Sequence, residues 1–306
     1  MKNILEVQSV SKIYHVGRRR KIHALRDVSF SLKQGRCLGL VGESGCGKST
    51  LCRHIAGIEQ PSSGEIWYQG EKKRTLERRG QIQMVFQNSL DAVNLHLNIG
   101  KIIGEPLENF TGLNRAERKK RGQELLEQVG LSGQDIEKYP QQFSGGQLQR
   151  ICIARALAAD PELLLLDEPL SSLDVSVQAQ LLNLFSDLKK RLELTCILVS
   201  HDLEAVYYLA DEIIVMYGGC LVEQIEDIQD FFALCHPYSR KLLAAHQLET
   251  GTSIPVKTEG LKNENGCVYA PRCPYAAERC FLERPLLIEK EKGHKIACHM
   301  DSYAYK

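Results

Sequence analysis

Nine residues, Gly42-Glu43-Ser44-Gly45-Cys46-Gly47-Lys48-Ser49-Thr50, constrain this chain more than any others, because they match G-x-x-x-x-G-K-[ST] in full. The run Cys37–Val41 before them is short and apolar, as a buried strand would be, and residues from Lys48 to about Gly57 have helical character. A strand, a glycine-rich turn and a helix in that order leave few folds open. The glycines let the backbone curl so that successive N–H groups face one point, where the helix N-terminus adds partial positive charge. Phosphate fits that cradle. Lys48 is placed to reach β- and γ-phosphates, and the Ser49 hydroxyl to ligate Mg²⁺. A chance glycine-rich turn is the bland alternative, and the strand–turn–helix setting argues against it.

A second segment, Leu163-Leu-Leu-Leu-Asp167-Glu168-Pro169, ends a buried-type strand in two acids. Ligands of open α/β sheets bind at that edge. There Asp167 suits Mg²⁺, and Glu168 suits the role of base for an attacking water. Val175–Glu193 reads as a helix and Thr195–Ser200 as a second apolar strand. Such alternation predicts a mainly parallel sheet with covered faces. Toward the start, Ile4–Val7, Val28–Leu32 and Glu65–Tyr68 have strand composition, while residues 95–160 carry helical periodicity and many charges.

The third segment, Phe143-Ser144-Gly145-Gly146-Gln147-Leu-Gln-Arg150, combines an S-x-x-Q capping box with two glycines at the start of a helix read as 147–159. It resembles the signature sequence of ATP-binding-cassette (ABC) ATPases. Other positions match that family in order over roughly residues 1–240. Tyr14 matches the aromatic that stacks on adenine. Gln87, after a strand read as Ile82–Phe86, matches the glutamine that senses Mg²⁺ and the membrane domain. Asp174 matches the loop that crosses a dimer interface, and His201 the histidine on the γ-phosphate. A lone histidine is more often structural; at a strand's C-terminal end beside two acids the catalytic reading is favoured. A kinase sharing the phosphate loop does not explain the signature, Asp174 and His201 together.

The resemblance implies a P-loop NTPase fold with a parallel-sheet core, an antiparallel β layer, a helical subdomain at about 95–160 and a small cysteine-bearing extension. The ATPase domain spans 1–245 and the extension 246–306. It implies that Gly42–Thr50, Tyr14 and Gln87 bind ATP, that Ser49, Gln87 and Asp167 attend Mg²⁺, and that Glu168 and His201 serve catalysis. Ser144, Gly145, Gly146 and Gln147 would grip the nucleotide of a second ATPase subunit, a paralogue rather than an identical copy. Two transmembrane permeases and an extracytoplasmic substrate-binding protein complete the expected assembly.

Composition fits this picture. Basic and acidic residues nearly cancel, 39 against 38, which disfavours a nucleic-acid partner held by phosphate neutralisation. The basic run Arg18-Arg19-Arg20-Lys21 reads as a solvated loop. No stretch approaches the ~20 apolar residues that span a bilayer, and the N-terminus lacks a signal-peptide pattern. The expectation is a chain at the cytoplasmic face of the membrane, with reduced thiols. Cys46, inside the phosphate loop, reads as a tolerated small residue rather than a redox switch.

The tail carries Cys267, Cys273, Cys280 and Cys298, separated by five, six and seventeen residues, after an upstream His236-Pro-Tyr238-Ser239. Four thiols in a reducing compartment suit an iron–sulfur cluster, a zinc ion or a small core of free thiols; the spacings lack the tight pairs usual for structural zinc. The pattern resembles the extension of peptide- and nickel-transporter ATPases, which import di- and oligopeptides, nickel or metal chelates, and some of which carry a [4Fe–4S] cluster on four such cysteines. Asn94-Leu-His-Leu-Asn98 departs from the Asn-Pro-Arg common there, in a region that meets the membrane partner. The alternative is a non-transport ABC ATPase, such as an accessory subunit of a carbon–phosphorus lyase complex.

Overall fold

The computed structural model describes residues 2–17, 20–72, 80–171, 173–247 and 265–300. Arg18 and Arg19 of the basic run, Ser172 and most of the stretch between 246 and 266 lie outside these. The strands are β1 Asn3–Val16, β2 Arg20–Lys33, β3 Cys37–Val41, β4 Ser63–Tyr68, β5 Glu71–Lys72, β6 Ile82–Val85, β7 Leu163–Asp167, β8 Thr195–Ser200, β9 Glu212–Tyr217, β10 Cys220–Ile225, β11 Ile288–Glu291 and β12 His294–Ile296. The helices are α1 Lys48–Ala56, α2 Ile99–Phe110, α3 Arg115–Gln128, α4 Gly145–Leu157, α5 Val175–Leu192, α6 Leu203–Leu209, α7 Pro237–Gln247 and α8 Glu278–Leu282.

The chain folds as two compact units. The first comprises Met1–His54, Gln60–Lys73 and His201–Lys306. In it β2, β1, β4 and β5 form an antiparallel layer, with Val10 opposite Val28 and Leu5 opposite Tyr68. The first two strands run far beyond the expected Ile4–Val7 and Val28–Leu32. Cross-strand pairing carries them through the charged Lys12, His15, Arg20 and Lys21, where local composition alone signals no strand. A second sheet sets β3 parallel to β9, β9 antiparallel to β10, and β10 antiparallel to β12. Every residue of β3 and β10 is buried.

The cysteine-bearing segment, expected as an appendage after residue 245, thus adds strands to a central sheet. The attachment turns on Glu223, in β10 and 0% exposed. Its carboxylate accepts the N–H groups of Cys235 at 2.8 Å and His236 at 3.2 Å, and bonds the His294 ring at 2.8 Å. Burial pushes the Glu223 carboxyl up, but the hydrogen bonds from His294 and Cys235, with His236 nearby, outweigh it and hold the group below the ordinary carboxylate range. The same hydrogen bond raises His294. Burial instead drives His236 down to about 4, so this ring is neutral.

The second unit comprises Ile55–Glu59 and Arg74–Ser200. Its strands β6, β7 and β8 run parallel, the last two buried throughout. Four of its helices begin with side-chain caps: Asn98 on α2, Asn114 on α3, Ser144 on α4 and Asp174 on α5. Each removes an orphan N–H at little entropic cost. Helix α4 starts at Gly145, two residues ahead of the expected 147, because the capping box makes Ser144 the N-cap and draws both glycines into the first turn.

Candidate functional site

Within the first unit, β3 delivers the chain into the glycine-rich loop and α1 leaves it at Lys48. Two glycines are obligatory here. Gly42 has φ +155°, and a Cβ would lie 2.2 Å from the Met216 carbonyl; Gly47 has φ +110°, and a Cβ would lie 2.4 Å from the Ala24 carbonyl. Lys48 is 4% exposed, and its Nζ donates to the carbonyls of Gly42 at 2.7 Å and Glu43 at 3.1 Å. Ser44 and Gly45 are exposed, and Ser49 and Thr50 half-buried at the helix start. Cys46 is buried, and burial raises its thiol pKa, which keeps it protonated and agrees with an inert side chain.

Tyr14 stands half-buried on β1, with the Lys12 ammonium 5.0 Å from its ring centroid. His201 is exposed, directly after β8, and Asp202 behind it caps α6.

Within the second unit, Asp167 closes β7 and is 6% exposed. Glu168 follows at φ +47°, ahead of Pro169. A side chain in the left-handed region before proline is strained by ~1–3 kcal/mol. Its N–H donates to the Val199 carbonyl of β8 at 3.0 Å, which helps hold it. Gln87 Nε2 donates to Glu168 Oε2 and to Ser171 Oγ, each at 3.2 Å. Two residues 81 positions apart are therefore brought together. The Ser49 hydroxyl and the Asp167 carboxylate are hard oxygen donors, the kind Mg²⁺ takes.

Ser144 and Gln147 form the reciprocal box. Ser144 N–H donates to Gln147 Oε1 at 3.0 Å, and Gln147 N–H to Ser144 Oγ at 3.3 Å. Ser144, Gly145 and Gln147 are exposed. Asp174 Oδ1 accepts the Val177 N–H at 3.0 Å and the Ser176 hydroxyl at 2.9 Å.

Around the tail cysteines, Cys267 N–H donates to the Cys280 carbonyl at 2.7 Å. Cys267 and Cys273 each feel the charge of both Cys280 and Cys298. Burial pushes Cys267 up to about 11, opposed by N–H groups of Tyr269 and Ala270 pointing at its sulfur. A tetrahedral zinc at ~2.3 Å from each sulfur would draw the four within about 4 Å of one another. Among the described residues, the metal-ligating atoms gathered within 4.8 Å are those of Glu223, Cys235 and His294. That set is the hydrogen-bonded anchor of β12. Four thiols near enough for Cys267 and Cys273 to feel the charge of Cys280 and Cys298 are a donor set of the kind an iron–sulfur cluster takes.

Sequence reasoning missed what holds Glu43. Its N–H donates to the Tyr238 hydroxyl at 2.7 Å, and its carboxylate takes both terminal nitrogens of Arg272. Tyr238 was visible only as part of a short motif, and Arg272 only as the neighbour of a cysteine.

The ABC transporter family model matches residues 25–171. The di/tripeptide transport ATP-binding protein DppF of Pseudomonas aeruginosa is 40% identical, with 98% of each chain covered. The oligopeptide transport ATP-binding protein OppF of Haemophilus influenzae is 41% identical over 90% of this chain and 88% of its own. Among solved structures, the dimeric, post-hydrolysis ATP-binding cassette MJ0796 bound to ADP and Pi superposes with a TM-score of 0.66 at 29% identity, covering 73% of this chain and 98% of that one. With a phosphate loop, an acid-tipped strand and a capped signature helix in place, and relatives matching along nearly its whole length, the chain belongs to the ABC transporter family as one of its ATP-binding, ATP-hydrolysing subunits.

Proposed function

We propose that this subunit powers an importer of di- or oligopeptides. The observation that carries the reading is the match to the Pseudomonas di/tripeptide transport protein across 98% of both chains, tail included. No helix among the described residues is long and apolar enough to cross a membrane, so the pathway would belong to two permease subunits, with this chain at their cytoplasmic face. A substrate-binding protein outside the membrane would deliver cargo.

In this reading Lys48 and the loop N–H groups hold the phosphates, Ser49 and Asp167 attend Mg²⁺, Glu168 takes the proton of the attacking water, and His201 meets the γ-phosphate. Gln87, bonded to Glu168, would report on the membrane partner. Ser144–Gln147 would face the nucleotide of a second, paralogous ATPase chain, with Asp174 near that interface. ATP then clamps the pair and hydrolysis releases it. Co-expression with the permeases encoded beside it, reconstitution in vesicles and uptake of labelled dipeptide tests the proposal. ATP-driven dipeptide uptake is expected; uptake of Ni²⁺ or a metal chelate without peptide would reassign the cargo.

We also propose that Cys267, Cys273, Cys280 and Cys298 hold a [4Fe–4S] cluster, which would cross-link the tail. Anaerobically purified full-length chain is expected to absorb broadly near 400 nm, as iron–sulfur centres do, and to contain iron. Colourless, iron-free protein with four titratable tail thiols would end this assignment.

A further inference from the structure

The phosphate-binding loop is tied down from the far end of the chain. Glu43, the first residue after Gly42, is fixed at three points. Its carbonyl accepts Lys48 Nζ at 3.1 Å, its N–H donates to the Tyr238 hydroxyl at 2.7 Å, and its carboxylate meets Arg272 in a two-pronged ion pair of 2.7 and 3.0 Å. Neither tether is loose. Tyr238 is fully buried and packs against the Tyr217 and Tyr269 rings, at centroid distances of 4.7 and 5.4 Å. Arg272 Nη1 also donates to the Tyr217 hydroxyl at 3.1 Å, and its guanidinium lies 5.7 Å from that ring. A planar fork on a carboxylate fixes direction as well as distance.

We infer that Arg272 is a positioning residue for ATP binding, through which the cysteine-bearing tail presets the phosphate loop. Residue 43 supplies a carbonyl to the same lysine that is read as the phosphate contact, so any rotation of its peptide moves Lys48 Nζ. A tethered loop meets the nucleotide already ordered; an untethered one must be ordered at the cost of binding energy. The effect falls on affinity. Once ATP is bound the loop is ordered in either case, and the proton transfer belongs to other residues. The inference rests on the phosphate-loop reading above.

The test measures binding of a fluorescent ATP analogue to the full-length chain and ATPase kinetics of the reconstituted transporter, for Arg272→Ala, Arg272→Lys, Glu43→Gln and the Arg272→Ala/Glu43→Gln double variant. The ion pair is partly solvated, side chains being 28% and 40% exposed, which limits its strength. Arg272→Ala and Glu43→Gln are each expected to weaken binding about fivefold, about 1 kcal/mol at 1.4 kcal/mol per decade, raising KM with kcat within about twofold. Arg272→Lys is expected to recover part of the loss, and the double variant to be no worse than either single one, because each single change already removes the same two-pronged ion pair. Unchanged binding in both single variants, or losses that simply add, would overturn the inference. Lys48→Ala, run alongside, separates the outcomes: if it too leaves binding intact, the phosphate-loop reading itself has failed. Should Arg272→Ala not fold, Arg272→Lys decides in its place, since it keeps the charge and most of the side chain while removing the planar fork.

Discussion

Glu168→Gln is expected to lower ATP turnover of the assembled transporter by roughly 10²–10⁴-fold, the usual worth of a positioned general base, while nucleotide binding persists. The substitution keeps size and shape but removes the atom pair that can take a proton. The surroundings tolerate the change. Gln87 Nε2 donates to one carboxylate oxygen at 3.2 Å, and an amide oxygen accepts that bond equally well. The backbone at φ +47° is held by the Val199 carbonyl and by Pro169, neither of which depends on side-chain charge. With binding spared and chemistry blocked, the ATPase pair should accumulate in the nucleotide-bound, closed form. Size-exclusion chromatography with ATP and Mg²⁺, beside a phosphate-release assay, reads both halves. Turnover within tenfold of the parent would remove Glu168 from the role of base.

Lys48→Ala is expected to abolish binding at ordinary ATP concentrations. A hydrogen bond to a charged group is worth about 1.5–3 kcal/mol, or ~10–150-fold in affinity. A second loss adds to it. The Lys48 ammonium rests on the carbonyls of Gly42 and Glu43, and an alanine side chain there leaves the loop without that internal strut. Calorimetric titration with ATP measures the effect, and far-ultraviolet circular dichroism checks that the fold survives. Titration curves that superimpose on those of the parent would contradict the assignment of the loop.

Much of both findings was legible because it is local in sequence. Strand β7 is four leucines and an aspartate, and its burial follows from composition. The cap at Ser144 is a single polar residue ahead of a helical run. What escaped is non-local. Arg272 meets Glu43 across 229 positions and His294 meets Glu223 across 71. Such pairs leave no periodic trace. The extension of β1 to Val16 also escaped, because its charged half becomes strand only when β2 lies beside it. The tail was read as a separate piece since its composition changes there; a three-residue strand, His294–Ile296, is too short to signal that it pairs with β10.

That short pairing has a consequence for how the protein is made. Strand β3 lies in the part of the chain that leaves the ribosome early, yet its sheet is finished only by residues near 295. Until then β10 offers a bare edge and the Glu223 carboxylate lacks its bond from His294. Closure over so long a loop is slow, and an unpaired edge invites other chains. The sheet that carries the nucleotide loop is therefore expected to keep an open edge until the tail strand joins it.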